Sequence, residues 1–318
     1  ADIEGDSPAL NGELNLDLDE SDILAVFATA PKGRGRLVGT VRDERAEHAE
    51  TLQFADVSQR AIDNLMISVH MVNWFSTYRV HHRVAEHFRR GRAFLVGDAG
   101  HIHSPAGGQG MNTGIGDAIN LAWKLAAVLQ RRAPESLLDS YEAERLPFAR
   151  RLVQTTDRAF SFLTADGPIA EIVRTGIAPR LMPLIGKLPG AREYLFRTIS
   201  QTMVHYRDAP LCAGHAGKVH GGDRMPWVRF DDGDNFAPLP KPDWQVQVYG
   251  NARAELVTWC ALHGVALRRW DWSEACAEAG LMRDAMYLLR PDTYVGLAAG
   301  TPSIDVLDDY VRANGLTL

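Results

Sequence analysis

The stretch from Gly91 to Leu125, GRAFLVGDAGHIHSPAGGQGMNTGIGDAINLAWKL, holds the residues whose types and spacing have the clearest chemical use. An apolar run, RAFLVG, should form a buried strand that delivers a carboxylate, Asp98, to a sheet end. A glycine-rich turn follows, and a helix is expected to begin near Asn112 or Thr113. Glycine lets backbone approach a ligand closely because no Cβ intervenes. A helix N-terminus offers unpaired N–H groups and partial positive charge, which suit a pyrophosphate or an electron-rich ring edge. Asp98 can accept hydrogen bonds from sugar hydroxyls. Together these parts describe a site for a cofactor that carries both phosphate and sugar. Asp98, His101 and His103 could also be read as metal ligands, but a loop H-x-H lacks a third spaced ligand. No metal is expected.

The elements that must position this loop follow from periodicity. LNLDLD, ILAVFAT and RLVGTVR, within residues 13–42, read as strands, with a turn at Pro31–Gly35. Residues 64–80 are rich in β-branched and aromatic types and form a further strand region, on which Trp74 and Tyr78 lie. HHRVAEHFRR, residues 81–90, predicts a short helix closed by Gly91. After the loop, Ile119, Leu121, Ala122, Leu125, Val128 and Leu129 mark one helical face. A helical pattern continues from Glu135 to about Leu163, with Pro147 expected to kink or restart it. Shorter helical segments are expected over 168–184 and 191–204, and residues 211–223 read as a loop at a domain boundary. Then come a strand (245–250), a helix (253–264), a strand (265–272), a hairpin (286–300) and a closing helix (302–315). A βαβ unit, a hairpin and a helix make an α/β arrangement, so the chain as a whole is α/β with α+β mixing.

The same string resembles the second FAD motif of the FAD-dependent aromatic hydroxylases, the class A flavoprotein monooxygenases typified by para-hydroxybenzoate hydroxylase. The family pattern GRVFLAGDAAH-x-x-P-x-x-G-x-G-x-N, followed by DA-x-N-L-x-W-K-L, is matched nearly letter for letter. Gly100 stands where alanine is usual, and Met111 where leucine is common. VNWFSTYRVHHRVAEHFRRG, SLLDSYEAERLPFAR, YRDAPL and GDRMP extend the likeness over nearly the whole chain. The resemblance implies that Asp98, with Gly97 before it, holds the flavin's sugar moiety. It implies that Pro105, Gly107, Gly108, Gly110, Met111 and Asn112 pack backbone against pyrophosphate and isoalloxazine. The helix dipole would then stabilise negative charge on the reduced ring. It also implies NADPH or NADH as reductant, dioxygen as co-substrate and a phenol-like aromatic substrate, with Trp74 near the substrate. The domains expected are 1–90 for part of a substrate-binding sheet domain, 91–210 for the rest of the FAD-binding domain plus a helical segment, and 211–318 for a thioredoxin-like domain. That last domain has no C-x-x-C, since Asn251-Ala252-Arg253-Ala254 opens its helix, so a dithiol function is excluded.

The family's first motif, G-x-G-x-x-G, has no complete copy in the chain, and its middle Asp-Gly motif is absent. The chain begins at Ala1 without methionine, in a segment that reads as the middle of a sheet. A fragment is therefore expected, with roughly 170 residues upstream in a complete enzyme. Two readings stay open: an aromatic monooxygenase, or a non-catalytic fragment acting as a folding, oligomerisation or interaction module. A net charge of −6 argues against nucleic-acid and anionic-membrane partners. No apolar stretch is long enough to span a bilayer, and three scattered cysteines are too few for a disulfide framework. A cytoplasmic setting is expected, and a homodimer remains open. Neither G-x-x-x-x-G-K-[ST] nor G-x-S-x-G occurs, which removes the usual NTPase and hydrolase candidates.

Overall fold

The computed structural model describes residues 1–18, 23–29, 32–39, 52–56, 59–78, 81–103, 108–164, 176–177, 180–181, 184, 187–237 and 242–318. They form two compact units, one of residues 1–81 and 155–194, the other of 82–154 and 195–318. Helix and sheet are mixed, as the periodicities require.

The first unit is built on an antiparallel sheet of β1 (Asp2–Asp6), β2 (Leu14–Leu18), β3 (Ile23–Thr29), β4 (Arg34–Gly39) and β5 (Ser68–Trp74). The order is β2-β3-β4-β1-β5, so β1 lies inside the sheet. Gly33, at φ +89°, turns β3 into β4. Alternation puts Ile3, Leu24, Val26 and Leu37 into a core with Ile62, from α1 (Gln59–Asn64), and Ile67. The other face leaves Met71 and Trp74 exposed, the usual state of a sheet packed on one side.

In the second unit, residues 81–90 do not form the expected helix. They contribute β6 (Arg83–Val84) and β7 (Arg89–Arg90), and β7 pairs with β8 (Ala93–Phe94) across a turn at Gly91, φ +60°. Tertiary contacts override the local pattern here. The Glu142 carboxylate accepts the N–H groups of Phe88 and Arg89 at 2.6 and 2.9 Å, and the Phe88 ring is buried beside Tyr141. RAFLVG is likewise shorter and more open than a buried strand: only Ala93–Phe94 pair, and Leu95 and Val96 are half-buried. β9 (His101–Ile102) pairs with β6.

Helix α2 (Gly110–Leu129) begins two to three residues before the expected start. A 3₁₀ turn at Glu135–Leu138 leads into α3 (Asp139–Thr164), which runs through Pro147 without a break. The helical segment expected over 168–184 lies largely outside the described residues. The next one is observed as α4 (Pro189–Ile199).

Residues 211–223 hold more order than a boundary loop. They supply β10 (Ala213–Ala216) and β11 (Val219–His220) to the C-terminal sheet. A small hairpin, β12 (Arg229–Phe230) and β13 (Gly233–Asp234), follows. Then β14 (Gln245–Tyr249), α5 (Ala254–His263), β15 (Ala266–Trp270), α6 (Glu274–Glu278), β16 (Met286–Leu289), β17 (Val295–Ala299) and α7 (Ile304–Ala313) run in the expected sequence. The sheet order is β11-β10-β17-β16-β14-β15, with β14 parallel to β15 and antiparallel to β16. β14 is buried on both faces. Val246 and Val248 meet Leu256, Trp259 and Leu307 from α5 and α7, while Tyr249 meets Tyr287 and Cys276 on the other side. Trp123 and Ala127 of α2 join the first of these clusters, so the loop-bearing helix and the C-terminal sheet share one core.

Candidate functional site

The loop is set by a backbone-to-backbone approach. Leu95 donates its N–H to Phe88 O at 2.9 Å and gives its carbonyl to the Tyr141 hydroxyl at 2.6 Å, which ties the strand end to α3. The chain then turns at Gly97, φ +59°, into a 3₁₀ turn over Gly97–Ala99 that Gly100 closes by an N–H to Gly97 O at 2.8 Å. A Cβ on Gly97 would sit 3.6 Å from the Gly114 Cα of α2, an ordinary contact, so turn and helix lie directly against each other here, and it is the positive φ of Gly97 that favours glycine. Asp98 is exposed on the turn. Gly100, where the family prefers alanine, packs against Phe88: an added Cβ would meet its ring at 3.3 Å.

Of the residues expected to face a cofactor, Gly108 lies at φ +63° with open space around it, and Gly110 starts α2. Met111 and Asn112 are exposed in the helix's first turn. Gln109, at the N-cap of that helix, makes no side-chain capping bond. Pro105 and Gly107 lie outside the described residues. Trp74 belongs to the other unit, where it is 54% exposed with Arg36 over its ring at 5.9 Å.

Behind the loop sits a carboxylate that sequence reasoning passed over. Asp117, 1% exposed, accepts the Gly97 N–H at 3.0 Å and Arg145 Nε at 2.6 Å, with His101 Nε2 placed to donate at 2.7 Å. Burial raises its pKa, but the His101, Arg145 and Gly97 contacts together outweigh burial and leave it lowered. His101, one of the two loop histidines, is thereby engaged by Asp117. Arg145 also donates to the Tyr206 hydroxyl at 2.9 Å and to Thr113 O at 3.1 Å in the first turn of α2.

One residue before Arg145, Glu144 faces a second buried cluster. Its carboxylate accepts Arg290 Nη1 and Nη2 at 2.6 and 2.8 Å, Lys124 Nζ at 2.8 Å and Asn120 Nδ2 at 2.6 Å. Arg290 reaches Asp292 as well, at 2.6 Å, and the Trp123 indole N–H donates to Asp292 at 3.0 Å. Burial lowers the Lys124 pKa to about 8, only partly opposed by Glu144. Burial also raises Glu144, but Arg290 and Lys124 overcome it and bring the carboxyl down to about 2. The apolar marks expected on α2 describe its inward face only in part: Leu121 is buried and Leu125 and Val128 pack against the cores. Ile119 and Leu129 are 52% and 80% exposed, while Asp117, Asn120 and Lys124, spaced three and four apart, are buried. That i, i+3, i+7 polar spacing was the available signal, and it resembled an ordinary solvated face. An apolar cleft of about 370 Å³, lined by Ile119, Ala122, Trp123, Ala126, Trp244 and Pro291, lies on the opposite side of the helix from Asp117.

Residues 14–156 match a family described as FAD binding domain. Over those residues the chain is similar to that FAD-binding family, and its relatives include proteins named as monooxygenases. It is similar to the 6-methylpretetramide 4-monooxygenase of Streptomyces rimosus, 41% identical over 162 residues that make up 49% of this chain and 28% of that one. It is similar also to the pentachlorophenol 4-monooxygenase of Sphingobium chlorophenolicum, at 36% identity over 76% of this chain and 48% of that protein. Among solved structures, the anhydrotetracycline hydroxylase OxyS of Streptomyces rimosus superposes with a TM-score of 0.71 and 27% identity, covering all of this chain and 63% of that one. The chain thus spans less than half the length of these curated relatives.

The residues present fit the family's flavin. Gly97 lies against Gly114, Gly108 is open, and the start of a 20-residue helix, where Gln109 makes no side-chain capping bond, adjoins an exposed carboxylate, Asp98. A phosphate-bearing, hydroxyl-bearing ligand uses all of these at once.

Proposed function

We propose that the chain supplies the flavin-facing half of the FAD site of a monooxygenase that hydroxylates a phenol-like aromatic substrate with NADPH or NADH and dioxygen. The observation that carries this reading is the juxtaposition of Asp98 with the N-terminal part of α2, where Gly97 lies against Gly114. When bound, FAD supplies the redox chemistry, taking electrons from the nicotinamide and activating dioxygen toward the ring. The chain's own residues bind and orient. Asp98 accepts hydrogen bonds from the flavin's sugar hydroxyls, with Gly97 setting its direction. Backbone at Pro105, Gly107, Gly108, Gly110, Met111 and Asn112 packs against pyrophosphate and ring, and the positive end of α2 favours anionic atoms there. Trp74, exposed on the sheet of the other unit, is assigned to the aromatic substrate.

The C-terminal block is assigned as a thioredoxin-like domain in which the dithiol is absent. The order β15-β14-β16-β17, with α5 crossing between parallel β14 and β15, supports this, and its role is structural. Cys212, Cys260 and Cys276 are all free thiols, as suits a reducing, cytoplasmic setting. Among the described residues no helix is long and apolar enough to cross a membrane.

The missing G-x-G-x-x-G favours a rival reading, a folding or interaction module with no flavin chemistry of its own. Titrating the chain with FAD, followed by flavin fluorescence and by absorbance near ~450 nm, separates the two. Saturable binding that Asp98→Ala weakens at least ~10-fold, or ~1.4 kcal/mol, supports the cofactor reading. Equal titration curves for parent and variant would refute it.

A further inference from the structure

The two buried polar clusters are joined, and they connect the turn between β16 and β17 to the Gly97 turn. At one end, Arg290 and Asp292 lie in the tight turn between β16 and β17, closed by an N–H of Arg290 to Tyr294 O at 2.8 Å. At the other end, Asp117 holds the Gly97 N–H beside Asp98. Between them stand Glu144 and Arg145, consecutive residues of α3. Glu144 binds Arg290, and Arg145 binds Asp117. Tyr206 bridges a second time. Its hydroxyl accepts from Arg145, its ring lies 4.4 Å from that of Tyr294, and Arg290 Cζ is 5.6 Å from its centroid. Arg290, Glu144, Arg145, Asp117, Asn120 and Lys124 are each no more than 2% exposed.

The charges also balance locally. Lys124 and Arg290 face Glu144 and Asp292, and Arg145 faces Asp117. Unpairing any one of them in this setting is costly, so the arrangement has one low-energy geometry and resists small displacements. Rotating α3 to follow a displaced Arg290 would carry Arg145 with it, and with Arg145 the carboxylate that fixes Gly97.

We propose that Arg290 is a positioning residue for the cofactor loop, acting through Glu144, Arg145 and Asp117, and that holding this loop is the function of a C-terminal domain that has no dithiol. The proposal rests on the reading of Gly97–Asn112 as the cofactor loop, and it is tested on loop order without any cofactor. Coupling through a contiguous network requires a measured coupling, not proximity alone.

The test is amide hydrogen exchange on the whole chain, with Arg290→Met, Arg290→Lys, Asp117→Asn and the double variant Arg290→Met/Asp117→Asn. Exchange of the segment 94–103 is expected to quicken ~10-fold or more in Arg290→Met, while β15, two strands from β16 in the sheet, stays within ~2-fold of the parent. Arg290→Lys, which keeps the charge but loses the bidentate fork, should fall between parent and Arg290→Met. Asp117→Asn should loosen the same segment without loosening residues 286–299. The double variant should be no faster than Asp117→Asn alone, because both substitutions cut one path.

Unchanged exchange at 94–103 in Arg290→Met would overturn the proposal. So would equal acceleration across the whole unit, which marks simple destabilisation, or multiplicative effects in the double variant. Should Arg290→Met fail to fold, Arg290→Lys alone decides: loosening confined to 94–103 supports the proposal, and uniform or absent loosening refutes it. FAD titration of Asp98→Ala distinguishes the two layers. If that variant binds FAD as the parent does, the cofactor reading fails while the exchange result still reports on the coupling.

Discussion

Replacing Glu144 by glutamine removes one negative charge from a cluster with two buried cations and leaves Asp292 as the carboxylate facing both. The Glu144 side chain is wholly buried and accepts four hydrogen bonds, from Arg290 twice, Lys124 and Asn120. Glutamine can keep some of these contacts through its carbonyl, but its NH₂ would point at a cationic donor. Taking one partner from a buried ion pair costs ~3–5 kcal/mol. The proton-linkage route gives a similar size. Glu144 falls from an ordinary 4.5 to about 2 on folding, and at ~1.36 kcal/mol per pKa unit that corresponds to about 3 kcal/mol. Because the folded pKa is depressed, this contribution is fully present above 4.5 and lost as pH falls toward 2.

Urea unfolding followed by tryptophan emission, with Trp123, Trp244 and Trp259 all in the affected core, should therefore show Glu144→Gln about 3 kcal/mol less stable at pH 7. Lys124, already lowered to about 8 by burial, loses its largest opposing attraction in this variant and sheds its proton more readily. The destabilisation should consequently shrink between pH 7 and 9. Adding Lys124→Met to Glu144→Gln removes the stranded cation and should recover part of the loss. A loss under ~1 kcal/mol for Glu144→Gln, or a double variant less stable than the single one, would show that the cluster is not the tightly paired site described.

Gly97→Ala should cost about 1 kcal/mol or more, because φ +59° is strained for alanine; thermal unfolding within error of the parent would contradict the turn geometry. Cys260, pushed up to about 11 by burial, and the buried Cys276 should react slowly with a disulfide reagent at pH 8 in the native chain, and the protein should not reduce insulin disulfides. Fast native labelling would count against the packing of the C-terminal sheet. The chain by itself should bind FAD at least ~100-fold more weakly than a complete flavoprotein, since no G-x-G-x-x-G is present and two lost charge-assisted hydrogen bonds at ~1.5 kcal/mol each already give that factor. Supplying the ADP-binding half of a relative in trans should restore a yellow complex, whereas tight stoichiometric binding without it would refute the estimate.

Much of the C-terminal sheet was legible because its signals are local and agree. QVQVY alternates, Gly264 ends α5 at φ +67°, and the β16–β17 hairpin is bounded by Pro291 and Asp292. The cofactor loop was legible as a string, and Gly97 and Gly108 take the positive φ that glycine favours. Residues 81–90 misled because helix periodicity there competes with a partner 54 residues away, the Glu142 carboxylate on Phe88 N–H, which no local window contains. The failure at Asp117, Asn120 and Lys124 has the same root. Polar residues at helical spacing mean solvent unless counter-charges arrive from elsewhere, and here they arrive from Glu144, Arg145 and Arg290, the last 146 residues from its partner.

That distribution of partners has a consequence for how the helices are held. An apolar interface between α2 and α3 could slide by part of a turn at little cost, since one methyl contact replaces another. The observed interface instead sets Glu144 and Arg145, opposite in charge and adjacent on α3, against two different counter-charges on α2. Successive helical positions differ by 100°, so a given rotation of α3 can satisfy both residues at one setting only. Burial of six charges adds little net stability, because desolvation offsets most of the attraction. What it gives is a single rotational setting, and the Gly97 N–H, bonded to the same Asp117 carboxylate, inherits that setting directly. The loop that must meet a rigid, planar cofactor is thus referenced to charges whose alternatives are all costly, while the apolar packing around them supplies the free energy.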